Sequence, residues 1–115
     1  MDFVTAWEKI AIEVHKTAVD KGFYEHKADG EVHRPSGTAI ALMHSELSEV
    51  LEALRKPVQE NSAKVPEFSE VEEELADVVI RVMDFQKAHG YRVQEAILAK
   101  MAYNKTRPHK HGKAF

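Results

Sequence analysis

Cysteine is absent from this chain of 115 residues, which excludes a disulfide scaffold, an iron–sulfur cluster, a thiolate zinc site and a cysteine nucleophile. Proline and glycine are scarce, at four and five residues, so collagen-like and low-complexity chains are excluded, and an apolar fraction of 43% excludes wholesale disorder. No apolar run approaches the ~20 residues a membrane span needs. Met1–Lys9 lacks the charged-then-apolar order of a secretory leader. The expectation is therefore a cytoplasmic protein with no membrane partner. Positive charge is also in deficit, and a net charge of −3 argues against a nucleic-acid polymer as partner. The deficit is uneven. Between Met43 and Asp84 stand 11 acids against four Lys or Arg, whereas the last 16 residues carry five Lys or Arg, two His and no acid.

What is present is helical periodicity. The length fits one domain spanning residues 1–115, with 105–115 as a basic tail, able to bury roughly two-thirds of its unfolded surface. Phe3, Trp7, Ile10 and Val14 repeat at helical spacing over Phe3–Lys21. Thr38 offers a hydroxyl cap for a second helix carrying Ile40, Met43, Leu47, Val50, Leu51 and Leu54, closed by Pro57. Ser69 with Glu72 forms a capping-box pattern opening a third helix through Leu75, Val78, Val79, Val82 and Phe85 to about His89, and Gly90 suits its end. Val93, Ile97 and Met101 mark a shorter fourth helix that stops before Arg107–Pro108. No segment alternates like a strand, so the expected fold class is all-α, a four-helix bundle. Two connections of some length remain, about 22–37 and 57–68. The first holds Phe23, Tyr24, His26, Lys27, His33 and Arg34, much chemistry for a linker.

The chemistry concentrates in a repeated phrase. Glu46-Leu47-Ser48-Glu49-Val50-Leu51 and Glu74-Leu75-Ala76-Asp77-Val78-Val79 share one pattern. At about 100° per residue, both acid pairs fall at the same angle beside the apolar stripe. If the two helices pack side by side with those stripes in the core, four carboxylates converge at one edge of it. Two carboxylates a few ångströms apart repel by roughly 3–4 kcal/mol at an effective dielectric near 20, so four demand protons or a divalent ion. All-oxygen donors favour Mg²⁺, with Mn²⁺ as a substitute, and Mg²⁺ commonly shares its coordination with substrate phosphates. Such a site suits attack of water on phosphorus. Arg81, in the same sector as Glu70 and Asp84, is able to neutralise part of the cluster, which keeps a purely structural ion-pair network open.

Lys100 and Asn104 lie on the stripe of the fourth helix that should face the core, as a snorkelling end or as phosphate-side groups. Lys105 and Arg107 follow and are able to hold a polyphosphate that the acids alone would repel. Trp7, Phe23 and Tyr24 are the aromatic candidates for stacking on a nucleobase, with the core as the simpler place for Trp7.

Taken together, Glu46/Glu49 and Glu74/Asp77, the phrases Ala41–Val50 and Glu74–Val82, and the ending Lys100–Pro108 resemble the all-α nucleoside triphosphate pyrophosphohydrolases, and within them the small MazG-like proteins. The resemblance covers about Phe3 to Gly112. It implies Mg²⁺-dependent hydrolysis of a nucleoside triphosphate to the monophosphate and pyrophosphate, a nucleotide-pool cleaning activity. It also implies a homodimer or homotetramer, with Glu46, Glu49, Glu74 and Asp77 as metal ligands and Lys100, Asn104, Lys105 and Arg107 on the phosphates. Some relatives carry a further Glu where this chain has Ser45. The catalytic base is thereby left open between Glu46, Glu49 and water activated by the metal alone. A di-iron carboxylate bundle would need Glu-x-x-His, which the sequence does not contain. The remaining rival is a non-catalytic helical oligomeric interaction module whose acid pairs are surface decoration.

Overall fold

The computed structural model describes residues 1–26 and 32–115. Helix α1 spans Phe3–Asp20, α2 Ser36–Arg55, α3 Glu70–His89 and α4 Val93–Lys105. Between α1 and α2 a short antiparallel ladder, β1 (Glu25–His26) with β2 (Val32–His33), departs from the strand-free expectation. It pairs two residues on each side and leaves the fold helical. Lys27, and the side chains of His26 and His33, lie outside the described residues. Among the described residues no helix is long and apolar enough to cross a membrane.

Local chemistry sets most of the helix ends. Asp2 Oδ1 accepts the Thr5 N–H at 2.8 Å and starts α1. At α3, Ser69 Oγ accepts from the Glu72 N–H and the Glu72 carboxylate accepts from the Ser69 N–H, both at 3.1 Å, so the capping box forms as the sequence indicates. Gly90 follows with φ 74°, a left-handed turn that only glycine adopts without cost. The Thr38 cap does not form. Helix α2 starts earlier, after Pro35, whose φ of −58° already suits helix entry and whose carbonyl accepts from Ala39 N–H at 3.1 Å.

Helix α3 is the central rod. Helix α2 packs on it antiparallel, with Lys56 meeting Glu70 at one end and Glu46 meeting Arg81 further along. Helix α1 packs on the C-terminal half of α3, where Trp7 Nε1 donates to Gln86 Oε1 at 2.7 Å and Lys87 pairs with Glu8. A buried amide pair ties on α4: Gln86 Nε2 donates to Gln94 Oε1 at 2.8 Å, and Gln94 Nε2 donates to Glu8 Oε2 at 3.1 Å. Each of these buried polar groups finds a partner, which makes the junction specific at little energetic penalty.

The apolar core is thin. Ala11, Tyr24, Ala39, Val50, Ala53 and Met83 are its buried members. On α2 the buried residues are small, Ala39 and Ala53 with Val50. The sequence expectation that the large stripe of α2 faces the core is therefore overturned: Ile40, Leu47, Leu51 and Leu54 are 40–56% exposed. The chain is correspondingly open, with a radius of gyration of 17.0 Å against about 13 Å for a compact domain of this length.

Candidate metal centre

The close approach of α2 and α3 brings acids from both helices together. Carboxylate oxygens of Glu46, Glu74 and Asp77 lie within 4.8 Å of one another, all partly buried. Arg81, one turn beyond Asp77 on α3, donates Nε–H to Glu46 Oε1 at 2.9 Å and fixes that carboxylate. Glu46 is thereby held at 14% side-chain exposure, which is not the behaviour of a solvated surface acid. Glu49 is exposed and faces an adjoining cleft with Glu52, Lys56, Glu70, Glu73 and Glu74. The structure thus brings together three of the four acids singled out from the sequence and leaves the fourth one turn away.

The crowding shows in the proton affinities. Burial first, then hydrogen bonds to Glu73 and Glu46 and the charge of Asp77, push the Glu74 carboxyl up to about 7. Burial and the charges of Glu46 and Glu73 raise Asp77 as well. Glu73 moves the other way, because the Ser62 hydroxyl donates to it at 2.5 Å and favours its ionised form. An acid cluster short of positive charge, lined by hard oxygen donors and holding a proton near neutrality, is chemically suited to a hard divalent cation. Glu46, Glu74 and Asp77 are the residues able to hold such an ion, each offering one carboxylate oxygen.

Glu46 and Asp77 open into a cleft of about 330 Å³ walled by α1, α2, α3 and both connections, with Lys21, Phe23, Arg34 and Lys64 also among its lining. Its floor is a polar knot that sequence reading missed. Asp84, 5% exposed, meets His15 Nδ1 at 2.9 Å and accepts from Arg34 at 3.4 Å. Arg34 also donates Nε–H to the Phe23 carbonyl at 2.9 Å and stands 4.7 Å from the Tyr24 ring centre. Burial, then a hydrogen bond to Asp84, raises the Tyr24 hydroxyl pKa. The signal in the sequence was one acid, Asp84, between the apolar Met83 and Phe85. Its partners are 50 and 69 residues away, beyond any local pattern.

No protein-family model, curated protein or solved structure matches the chain. The site therefore stands on its residues. Of the aromatic candidates, Phe23 lines the cleft at 58% exposure. Tyr24 is buried beneath it in the Asp84 knot, and Trp7 is engaged by Gln86 on the far part of α3. Lys100 and Asn104 line a different, apolar groove on α4 with Val93, Ile97 and Met101. Lys100 and Arg107 flank the Tyr103 ring at 4.8 and 5.6 Å, and Lys105 closes α4. Within one chain, none of these four phosphate-side candidates lines the acid cleft.

Proposed function

We propose that this protein is a Mg²⁺-dependent nucleoside triphosphate pyrophosphohydrolase of the MazG-like, all-α kind, cleaving its substrate to the nucleoside monophosphate and pyrophosphate. The observation that carries the reading is the convergence of Glu46, Glu74 and Asp77 oxygens within 4.8 Å, with Glu46 and Asp77 lining a cleft in the size range of small-molecule sites. The bound ion would neutralise phosphate charge and lower the pKa of the attacking water. The chain's own residues do the rest. Arg81 keeps Glu46 from rotating into solvent, and Glu74 gives up its proton as the site is loaded, so ligation and proton release are linked. Glu49, one turn along α2 and lining the adjoining cleft, would orient water. Phe23 offers an exposed aromatic face at the cleft wall for the base.

The same reading makes the protein a homodimer or homotetramer. Ile40, Leu47, Leu51 and Leu54 on α2, with Leu75 and Val79 on α3, leave a broad apolar surface exposed, more than a soluble monomer ordinarily shows. Both helices offer that stripe at the same angular offset from their contact, and being antiparallel they present it on one side, opposite the acids. On α4, Asn104 Oδ1 is buried without a hydrogen-bond partner among the described residues. A partner group on a second chain would account for that, and would also give Lys100 and its neighbours a route to a phosphate.

The test is a screen of ribo- and deoxynucleoside triphosphates, canonical, oxidised and deaminated, for pyrophosphate release in Mg²⁺ and in chelator. At least one should yield monophosphate and pyrophosphate in equal amounts, only with metal, and Asp77→Asn should lose the reaction with its helical circular dichroism intact. Turnover unaffected by Asp77→Asn would remove the assignment.

A further inference from the structure

The connection between α2 and α3, residues 56–69, is built rather than slack. Asn61 pairs with Ser69 across an isolated bridge, and Ser62 N–H donates to the Phe68 carbonyl at 2.8 Å. Glu70 N–H donates to the Glu60 carbonyl at 2.9 Å. Outside this ladder Lys56 clamps both ends, reaching Glu60 at 3.3 Å and Glu70 at 2.7 Å. At its centre Ser62 is 2% exposed, and its oxygen accepts the N–H groups of Lys64 and Val65 at 3.1 and 3.0 Å while donating to Glu73. One buried hydroxyl thus fixes the backbone of Lys64 to the first turn of α3.

The side chain so delivered stands between the two acid-lined clefts: Lys64 lines the one holding Glu46 and Asp77 and the one holding Glu49, Glu73 and Glu74. Lys21 lines the first cleft as well. The two arginines of that cleft are already engaged, Arg34 by Asp84 and Arg81 by Glu46. Among the described residues neither Lys64 nor Lys21 forms an ion pair. An ammonium on a long side chain and a fixed backbone, beside a carboxylate cluster, is suited to recognise a terminal phosphate as a point charge.

We infer that Lys64, its backbone held by Ser62, binds the pyrophosphate portion of the substrate at this cleft, with Lys21 as a second cation of the same lining. This rests on the pyrophosphohydrolase reading for the identity of the substrate, but the binding chemistry is tested separately. Lys64 is exposed, so its substitution should leave the fold intact. Calorimetric titration of inorganic pyrophosphate into the full-length protein in excess Mg²⁺ should give binding that Lys64→Ala weakens about tenfold and Lys64→Arg largely restores. Mg²⁺ binding without pyrophosphate should stay within about twofold in Lys64→Ala, because the ligands are untouched. In turnover the same variant should raise KM for the triphosphate about tenfold, with a smaller fall in kcat. Pyrophosphate binding equal in wild type and Lys64→Ala, or absent from wild type, overturns the inference. Intact wild-type turnover alongside an unchanged KM in Lys64→Ala overturns it while leaving the pyrophosphohydrolase standing. Loss confined to thermal stability assigns Lys64 a structural role and likewise overturns it.

Discussion

At the residue scale, three carboxylates are pressed together where α2 meets α3. Glu74, with its carboxyl pushed up to about 7 against an ordinary value near 4.5, binds more protons folded than unfolded. Its contribution to stability is therefore complete below about pH 4.5 and lost as pH rises toward 7. In chelator, the pH-dependent stability of wild type should decline through that window, and Glu74→Gln should flatten the decline. At pH 7.5 without metal, Glu74→Gln should melt about 4 °C higher if roughly 1 kcal/mol of repulsion is relieved. The same variant should lose the stabilisation that Mg²⁺ gives wild type, which thermal melts with and without the ion report. Glu49 supplies a contrast. Because it stands outside the triad, Glu49→Ala should weaken Mg²⁺ binding less than Asp77→Ala, which should weaken it more than tenfold, as read by calorimetry. The identity of the acids was legible from a repeated phrase because helical angle is a local property. Which three of them converge was not, since that depends on how α2 rotates against α3.

At the scale of elements the legible parts were again the local ones. The Ser69–Glu72 capping box and the Gly90 turn follow from residue types a few positions apart, whereas Thr38 lost to Pro35 because proline's fixed φ starts the helix sooner. The connection before α3 has no such signature. Its order comes from Ser62, whose contacts with Glu73 span 11 residues. Ser62→Ala should destabilise the protein by about 1–3 kcal/mol, since Glu73 and two backbone N–H groups lose their partner at a buried site. Denaturant unfolding measures that directly, and a change below ~0.5 kcal/mol would show the loop to be ordered by something else. The α1–α3–Arg34 knot around Asp84 was invisible for the same reason: its members meet only after the chain has folded.

For the whole molecule, the helical class and the four helices were readable from periodicity, but the side on which the stripes lie was not. Apolar spacing reports that a face will be covered, and is silent on whether this chain or another covers it. Here the exposed Leu47, Leu51 and Leu54 of α2 and the 17.0 Å radius of gyration describe a chain that has not closed on itself. If a second copy covers this face, Leu51→Glu should shift the mass measured by light scattering from an oligomer to about one chain. Its melting temperature should fall and cease to depend on protein concentration. Unchanged mass would mean that the copies meet elsewhere or not at all.

The most direct measurement is titration of Mn²⁺ alone, without nucleotide, into wild type and into the triple variant Glu46→Gln, Glu74→Gln, Asp77→Asn at pH 7.5. Wild type should bind at least one ion with sub-millimolar affinity and release a proton as it does so, seen as a heat that varies with the ionisation enthalpy of the buffer. The triple variant should fold and bind none. Equal binding by both proteins, or none by wild type, would contradict the assignment of this acid cluster as a metal centre.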